Sequence, residues 1–211
     1  MQLFGIDLKS LIITLPIIII SLSFHEFMHA YVAYKMGDPT AKLMGRMTLN
    51  PIVHMDSIGM LVMIVTGCFG WAKPVPVNPA YFKDSSKGML GVSLAGPISN
   101  LVLAILFGIC VKITSFFITT PESLERLLTI YNIFSYGVII NLTLCLFNLI
   151  PLAPLDGSKV LLSCISDYRI KTSIMRFYEQ YSSIVLLFLL ITGVVNKLFD
   201  PLISLLYNLI V

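Results

Sequence analysis

Two histidines and a glutamate lie close together near the amino terminus, in the sequence "HEFMH". His25 and His29 are four residues apart, so on a helix both imidazoles project from one face. Glu26 is rotated by about 100° from His25, which lets its carboxylate reach a metal-bound water without ligating the metal. This is the H-E-x-x-H pattern of zinc hydrolases. It predicts a catalytic zinc site in which Glu26 is the general base.

This polar cluster stands at the end of an apolar run. "LIITLPIIII" precedes it, and the segment from about Lys9 to Lys35 is long enough to cross a bilayer. Burying His and Glu in lipid is costly unless they face a partner or a cavity, so the position favours a functional site over a chance match. At about 1.5 Å per residue, His29 lies roughly 9 Å and His25 roughly 15 Å from Lys35. The site is expected inside the membrane, near one face.

The composition indicates a membrane protein. Of the 211 residues 57% are hydrophobic and 12% charged, whereas soluble domains carry about 25% charged residues. The mean hydropathy is +0.91. We therefore expect an all-α polytopic protein with about five or six membrane segments in a lipid bilayer. A net charge of +3 is too small to suggest a nucleic-acid partner, and nothing in the sequence indicates the oligomeric state.

The remaining segments differ in length and polarity. "SIGMLVMIVTGCFG" is too short to cross and predicts a re-entrant or interfacial segment. The prolines of "WAKPVPVNPAYF" restrict it to an edge strand or an extended loop. Longer apolar stretches are expected at about 88–118, interrupted by "AGP", and at about 130–150. The run 183–195 could cross with flanking residues, and the tail "FDPLISLLYNLIV" could lie in the interface or return across the membrane.

These segments predict one membrane-embedded domain over residues 1–211. Its catalytic core covers about 9–165, and C-terminal membrane segments cover about 181–211. Because no small-residue cleavage site closes the first apolar stretch, we interpret it as an uncleaved span. Cys68, Cys110, Cys145 and Cys164 stand apart in apolar surroundings and are interpreted as small buried hydrophobic residues.

The distribution of Lys and Arg predicts the orientation. If the short segment after Asp56 does not cross, ten of the fourteen basic residues fall on one face, which the positive-inside rule makes cytoplasmic. They are Lys35, Lys42, Arg46, Lys73, Lys83, Lys87, Lys159, Arg169, Lys171 and Arg176. The same assignment brings the end of the histidine-bearing helix and the "LDG" stretch to one side. An active site nearer the cytoplasmic face of a cell membrane is expected.

A catalytic zinc needs a third protein ligand beside the two histidines. Four acidic residues stand in charged stretches that we interpret as solvated loops: Glu122, Glu125, Asp167 and Glu179. Asp156 differs, because it closes the apolar run "LCLFNLIPLAPL", and Gly157 beside it permits close backbone packing. Either Asp156 is the N-cap of the helix that follows, or it ligates zinc. The residues alone leave both readings open.

Taken together, these stretches resemble a known family. "HEFMHA" with "FNLIPLAPLDG" resembles the site-2 protease family of intramembrane zinc metalloproteases, and "GDPTAKLMGRMTLNPIVHMDSIG", "FGWAKPVPVNP" and "AGPISN" resemble its compact bacterial and archaeal branch, which fits a prokaryotic cell membrane. The resemblance covers nearly everything from Ser23 to Gly157. It implies one Zn²⁺ per chain held by His25, His29 and Asp156. Ala153 departs from the second proline or bulkier residue of many relatives, and no PDZ-like or CBS module is visible in the sequence.

The resemblance also implies a reaction. Water activated by zinc and by Glu26 would hydrolyse peptide bonds in transmembrane segments of other proteins, as in regulated intramembrane proteolysis. It favours Asn148 as a donor to the oxyanion, although a buried amide there could instead satisfy backbone near Pro151. Because a helical substrate must unwind before attack, the extended "AKPVPVNP" is a candidate clamp that pairs with it by strand addition.

Four further polar residues have open roles. Asn141 is two turns before Asn148 and is interpreted as structural. Asn100 could bond between helices or border the site. His54 and Asp56 could form an auxiliary element of the site, since the family motif includes this histidine, or simply contact each other in a loop.

Two other functional classes compete with the zinc protease. A metal-ion transporter also carries ionisable residues at mid-membrane, but transporters often contain repeated halves, and no repeat is visible here. A catalytically silent scaffold would be expected to lose the glutamate, and Glu26 is present. A membrane zinc protease of the type that acts on prenylated proteins would pair the motif with a later glutamate, whereas the best third ligand here is Asp156.

Overall fold

The computed structural model describes residues 2–3, 6–66 and 70–211, and their side chains over 12–62 and 70–211. Its architecture is helical, which confirms the all-α prediction. The β structure of the described residues is a two-residue antiparallel pairing of β1 with β2 and a single bridge between Met55 and Ala72. The elements are β1 Gln2–Leu3, β2 Ile6–Asp7, α1 Leu8–Lys35, α2 Thr40–Leu43, α3 Pro51–His54, α4 Ser57–Thr66, α5 Ser85–Phe116, α6 Pro121–Asn148, α7 Asp156–Cys164, α8 Tyr168–Phe177, α9 Ser183–Ile191 and α10 Val194–Ile210.

Within the described residues, four helical stretches are long and apolar enough to cross a membrane. They are Ile12–Lys35, Ser85–Phe116, Pro121–Asn148 and Tyr168–Ile191. The first matches the span expected from Lys9 to Lys35. The short α4 covers ten residues of the predicted re-entrant segment, whose residues 67–69, with Cys68, lie outside the described part of the chain. The full count of five or six membrane segments stays a prediction, since α10 has 17 residues.

The "AGP" sequence does not interrupt its helix, contrary to expectation. α5 continues through Gly96 and Pro97 for 32 residues. A proline inside a membrane helix is tolerated where neighbouring helices and local adjustments satisfy the freed backbone groups. The long unbroken helix matters because α1, α6 and α7 all pack against it.

Two stretches expected to be loops are helical. α6 begins at Pro121, because Thr120 and Ser123 form a reciprocal capping box at its start. Glu122 and Glu125 therefore lie on a helix, exposed as expected. The charged stretch after residue 167 forms α8, capped by the Asp167 carboxylate, and continues through a π-helical turn, Tyr178–Ser182, that contains Glu179.

The main apolar core lies between α5 and α6. Ala104, Val111, Val138 and Leu142 are each at most 1% exposed. The tail helix α10 packs on the same pair, with Ile210 against Gly108. Of the cysteines in the described part, Cys145 is buried and Cys110 partly so, but Cys164 is exposed at the end of α7, so the buried reading was wrong there. The core fixes α5, and α5 in turn positions α1 and α7.

Truncating Leu142 tests this core. Leu142→Ala is expected to lower the free energy of unfolding by about 2–5 kcal/mol, because it leaves a cavity between α5 and α6. Leu128→Ala on the same helix is the control, since Leu128 is 44% exposed. Thermal unfolding of the two purified variants in one detergent provides the measurement. Equal midpoints would contradict the assignment of Leu142 to the core.

Candidate active site

The two motif histidines face a third residue from a distant part of the chain. His25 and His29 lie on α1, and Asp156 is the first residue of α7. The Oδ2 atom of Asp156 is 3.1 Å from Nε2 of His25 and 3.0 Å from Nε2 of His29, and the two Nε2 atoms are 2.9 Å apart. All three residues are buried, with exposures between 4% and 7%. Three atoms that could ligate a metal ion, two imidazole nitrogens and one carboxylate oxygen, thus lie close together.

Asp156 does not act as the N-cap of α7. The capping position is held by Leu155, and the aspartate carboxylate points across to the two imidazoles instead. Its other oxygen, Oδ1, lies 3.4 Å from the ammonium of Lys159, one turn further along α7. Gly157 makes this placement possible, because a Cβ there would lie 2.3 Å from the carbonyl oxygen of Leu149.

A chain of buried amides orients the His25 ring. The Gly137 carbonyl can only accept, so Asn141 donates to it through Nδ2 and turns its Oδ1 toward Asn100. Asn100 then donates through Nδ2 and presents Oδ1 to Nδ1 of His25, at 2.6 Å. The proton of His25 is therefore on Nδ1. Both asparagines are fully buried, so Asn100 joins two helices and also holds a residue of the site.

The His29 ring is also oriented by a group that can only accept a hydrogen bond. Its Nδ1 lies 2.7 Å from the Val92 carbonyl oxygen of α5, which can only accept. In its neutral form each imidazole therefore carries its proton on Nδ1 and directs a lone pair on Nε2 toward the other ring and toward the carboxylate. Such lone pairs at about 3 Å from one another are stabilised by a cation between them, either a metal ion or an added proton.

This donor set fits a zinc ion. Two imidazoles and one carboxylate are the ligand types of catalytic zinc sites, which keep a fourth position for water. Ligands at about 2.0–2.1 Å around a tetrahedral zinc lie about 3.3 Å apart, so the observed separations need only a few tenths of an ångström of adjustment. Hydrogen bonds that fix ring orientation from behind are usual for metal-binding histidines. Among the described residues, this is the group of three or more His, Cys, Asp or Glu close enough to hold a metal.

Gly96 of the "AGP" sequence lets α5 approach the histidines. A Cβ at this position would lie 2.4 Å from Cε1 of His25 and 2.5 Å from Nε2 of both rings. Gly96 and Asn100 are four residues apart, so both occupy the face of α5 that meets α1. The small residue and the amide together position the rings.

Glu26 lines the same cavity as the three donor residues. The cavity has a volume of about 560 Å³ and is bounded mainly by apolar side chains of α1, α5 and α6 and by the non-helical segment that contains Val75. The Oε2 atom of Glu26 accepts a hydrogen bond from the Val75 backbone N–H at 2.9 Å. The glutamate is thus beside the donors but contributes no ligand atom to their cluster, as its place in the motif predicts.

Asn148 also lines this cavity. It is the last residue of α6, and one N–H of its amide donates to the Leu144 carbonyl at 3.0 Å. A primary amide has two N–H donors, so the second can serve a group inside the cavity. The structure is therefore compatible with both roles considered for this residue.

His54 and Asp56 have other partners. The buried His54 donates from Nε2 to the Thr48 carbonyl, and Asp56 accepts from the N–H groups of Ile58 and Gly59 at the start of α4. Neither lines the cavity that contains Glu26. Both residues stabilise the loop structure around α3 and α4.

Comparison with known proteins agrees with this geometry. The profile of Peptidase family M50 matches residues 13–192. The chain belongs to peptidase family M50. This is the site-2 protease family, and its members are metalloproteases, so this M50 chain is a metalloprotease. No solved structure matches the chain at a significant level.

Three curated relatives carry zinc in their names. "Putative zinc metalloprotease YwhC" of Bacillus subtilis (strain 168) is 42% identical over 197 residues, which cover 92% of this chain and 85% of that protein. "Putative zinc metalloprotease Rip2" of Mycolicibacterium smegmatis is 28% identical over 88% of this chain and 69% of its own length. "Putative zinc metalloprotease MJ0611" of Methanocaldococcus jannaschii is 34% identical over 65% of this chain and 63% of its own length. With the four membrane-length helices, these matches identify an integral membrane protein.

Several residues of the site were not found by sequence reasoning. The Val92 carbonyl and the Val75 N–H are backbone groups, which no side-chain pattern reveals. Gly96 and Lys159 did leave a signal, because Gly96 is four residues before Asn100 and Lys159 three after Asp156. These spacings place each on the helix face of a residue already singled out.

A methyl group at Gly96 should disrupt the histidine pair. Gly96→Ala is expected to reduce bound zinc at least tenfold at limiting metal, because the added Cβ displaces both imidazoles. The control is Gly91→Ala on the same helix, whose Cβ would meet the flexible end of Met36 at 3.0 Å and the Val32 side chain at an ordinary 4.0 Å. Competition with a chromogenic chelator measures the affinity. Equal zinc affinity in the two variants would show that the close approach of α5 is not required.

Proposed function

We propose that this M50 protein is a zinc-dependent intramembrane endopeptidase that cleaves transmembrane segments of other membrane proteins. The observation that carries the proposal is the convergence of the lone pairs of His25, His29 and Asp156 beside Glu26, in a cavity between membrane-length helices. Under this proposal the three residues bind one Zn²⁺ per chain. Residues 1–211 act as one membrane-embedded protease domain.

The reaction is hydrolysis of a peptide bond. Zinc held by the three ligands supplies Lewis acidity, which polarises the scissile carbonyl and makes water a better nucleophile at neutral pH. Glu26 takes a proton from the attacking water as the new C–O bond forms. It then delivers a proton to the leaving nitrogen as the C–N bond breaks. The products are a carboxylate and an amine.

Asn148 is proposed to stabilise the oxyanion. Asn148 lines the cavity, and one of its two amide N–H groups holds the side chain to the end of α6, so the proposal assigns the second N–H to the substrate oxyanion. A preorganised donor of this kind contributes most in a site shielded from water, because it needs no reorganisation during the reaction. The apolar lining of the cavity supplies that shielding.

The extended segment Ala72–Asn78 is proposed to hold the unwound substrate. It carries two prolines and forms part of the cavity wall through Ala72, Pro74, Val75 and Val77. A substrate peptide lying in the cavity along this segment would pass the proposed zinc ligands. Backbone pairing would hold it extended, which exposes the scissile carbonyl that a helix conceals.

The proposed site lies within the membrane, nearer its cytoplasmic face. Support comes from the basic residues, ten of which fall on one face if α4 does not cross. A site near the surface would also allow water to reach buried ligands. This part of the proposal can be tested by labelling single cysteines in loops on either side of a sealed vesicle.

Removing the base should abolish cleavage without removing the metal. Glu26→Gln is expected to lower the cleavage rate by about 10²–10⁴-fold, the usual contribution of general acid–base catalysis, with zinc content unchanged. Cells would co-express the parent or the variant with single-span proteins tagged at both ends, and fragments would be identified by mass spectrometry. The control is Glu122→Gln, an exposed change on α6. Parental cleavage by Glu26→Gln would refute the assignment of the base.

Removing a ligand should instead remove the metal. Asp156→Ala is expected to leave the purified protein with markedly less than one zinc per chain, because two imidazoles alone do not make a closed site. Asp167→Ala is the matched control, since that carboxylate only caps α8. Elemental analysis after dialysis decides the question. An unchanged zinc content in Asp156→Ala would exclude Asp156 as a ligand.

A further inference from the structure

The Val75 peptide occupies a special position in the extended segment. Pro74 and Pro76 lack an N–H, so within this triplet only Val75 can donate a hydrogen bond. Its N–H points to Oε2 of Glu26 at 2.9 Å. Among the described residues, Oε1 of the same carboxylate accepts no hydrogen bond. One oxygen of the proposed base is therefore held, and the other is left for a proton.

The segment is fixed on both sides of Val75. Arg46, itself buried, donates from one guanidinium nitrogen to the Lys73 carbonyl at 2.6 Å and to the Pro74 carbonyl at 3.4 Å. Asn78 donates its N–H at 2.7 Å to the fully buried Asp38. The Lys73 N–H is paired with the His54 carbonyl at 2.8 Å.

Arg46 and Glu26 meet the same peptide unit from opposite ends. The Pro74 carbonyl receives the guanidinium, and the Val75 N–H of that unit donates to the carboxylate. A positive charge beside the Pro74 carbonyl polarises this peptide unit and makes the Val75 N–H a stronger hydrogen-bond donor. Pro76 confines Val75 to an extended conformation, so the donor is rigid before substrate arrives.

We propose that the Val75 N–H, with Arg46 behind it, is a positioning element that orients the Glu26 carboxylate for proton transfer. A glutamate side chain has three rotatable bonds, and proton transfer requires its oxygen within hydrogen-bond reach of the attacking water. The fixed N–H selects a rotamer in which Oε1 accepts no hydrogen bond from the described part of the chain. The segment thereby acts on catalysis as well as on substrate holding.

The inference rests on the proposed function of Glu26 as a base. Orientation of Glu26 by the Val75 N–H and pairing of the segment with substrate predict different changes in the kinetic constants. A donor that only pairs with substrate affects KM, whereas a donor that orients the base affects kcat. The two roles can therefore be separated in one substrate titration.

Replacing Val75 by proline removes the N–H. Val75→Ala is the reference, because it also loses the valine side chain but keeps the donor. We expect kcat of Val75→Pro to be about 10–100-fold below that of Val75→Ala, the cost of misplacing a reacting group. KM should stay within about threefold of the reference, consistent with a loss confined to the transition state. Zinc content and thermal midpoint are measured on both variants.

Arg46 supplies a second test if the proline variant fails to fold or loses zinc. Arg46→Gln removes the positive charge beside the Pro74 carbonyl, and Arg46→Lys keeps a positive charge at this position. We expect kcat to fall in Arg46→Gln and to be partly restored in Arg46→Lys, with zinc bound in both. Equal kcat in the two Arg46 variants would overturn the role of the guanidinium.

Three other results would contradict the inference. Equal kcat in Val75→Pro and Val75→Ala would show that the N–H does not position the base. A rise in KM alone would assign it to substrate pairing, and a rise in kcat would make the contact a restraint on Glu26. Failure of the underlying function would be seen separately, as full activity of Glu26→Gln with Val75 unchanged.

Discussion

The whole structure depends on keeping three buried donor atoms together. His25, His29 and Asp156 bring their ring nitrogens and carboxylate oxygen to about 3 Å of one another. Such polar groups lose their hydration when buried and need a cation or proton between them. Packing and hydrogen bonding by the surrounding helices must therefore keep these three side chains in place. The same arrangement is the one that the proposed zinc site requires.

α5 is the element that provides this restraint. It supplies the Val92 carbonyl and Asn100 as acceptors behind the two rings, and Gly96 as the space in front of them. Its other side packs on α6 through a core of small and branched residues that includes Leu142. Because α5 is long and continuous, a single rigid body orients both histidines. The three proposed metal ligands lie on α1 and α7, but their geometry is set by α5, which packs against both helices.

The extended segment complements this rigid body. Helices satisfy their own backbone, so they offer few free N–H groups near a site. The stretch around Val75 is not helical, and the N–H groups of Lys73, Val75 and Asn78 are directed to His54, Glu26 and Asp38. A short non-helical piece in a helical protein thus provides backbone donors where the chemistry is proposed. The prolines keep it extended and limit where those donors can be.

The sequence by itself determined which side chains could form a metal site and that they belong to a membrane protein. Four-residue spacing fixed His25 and His29 to one helix face, and the apolar composition required membrane helices, because both follow from local periodicity and from solvation. The tertiary structure decided what local rules leave open. Residue spacing could not choose between a cap and a ligand for Asp156, since the deciding partners are 127 and 131 positions away. Nor could it find the Val75 N–H that donates to Glu26 or the Val92 carbonyl that accepts from His29, since backbone groups carry no residue identity and only packing brings them to a site.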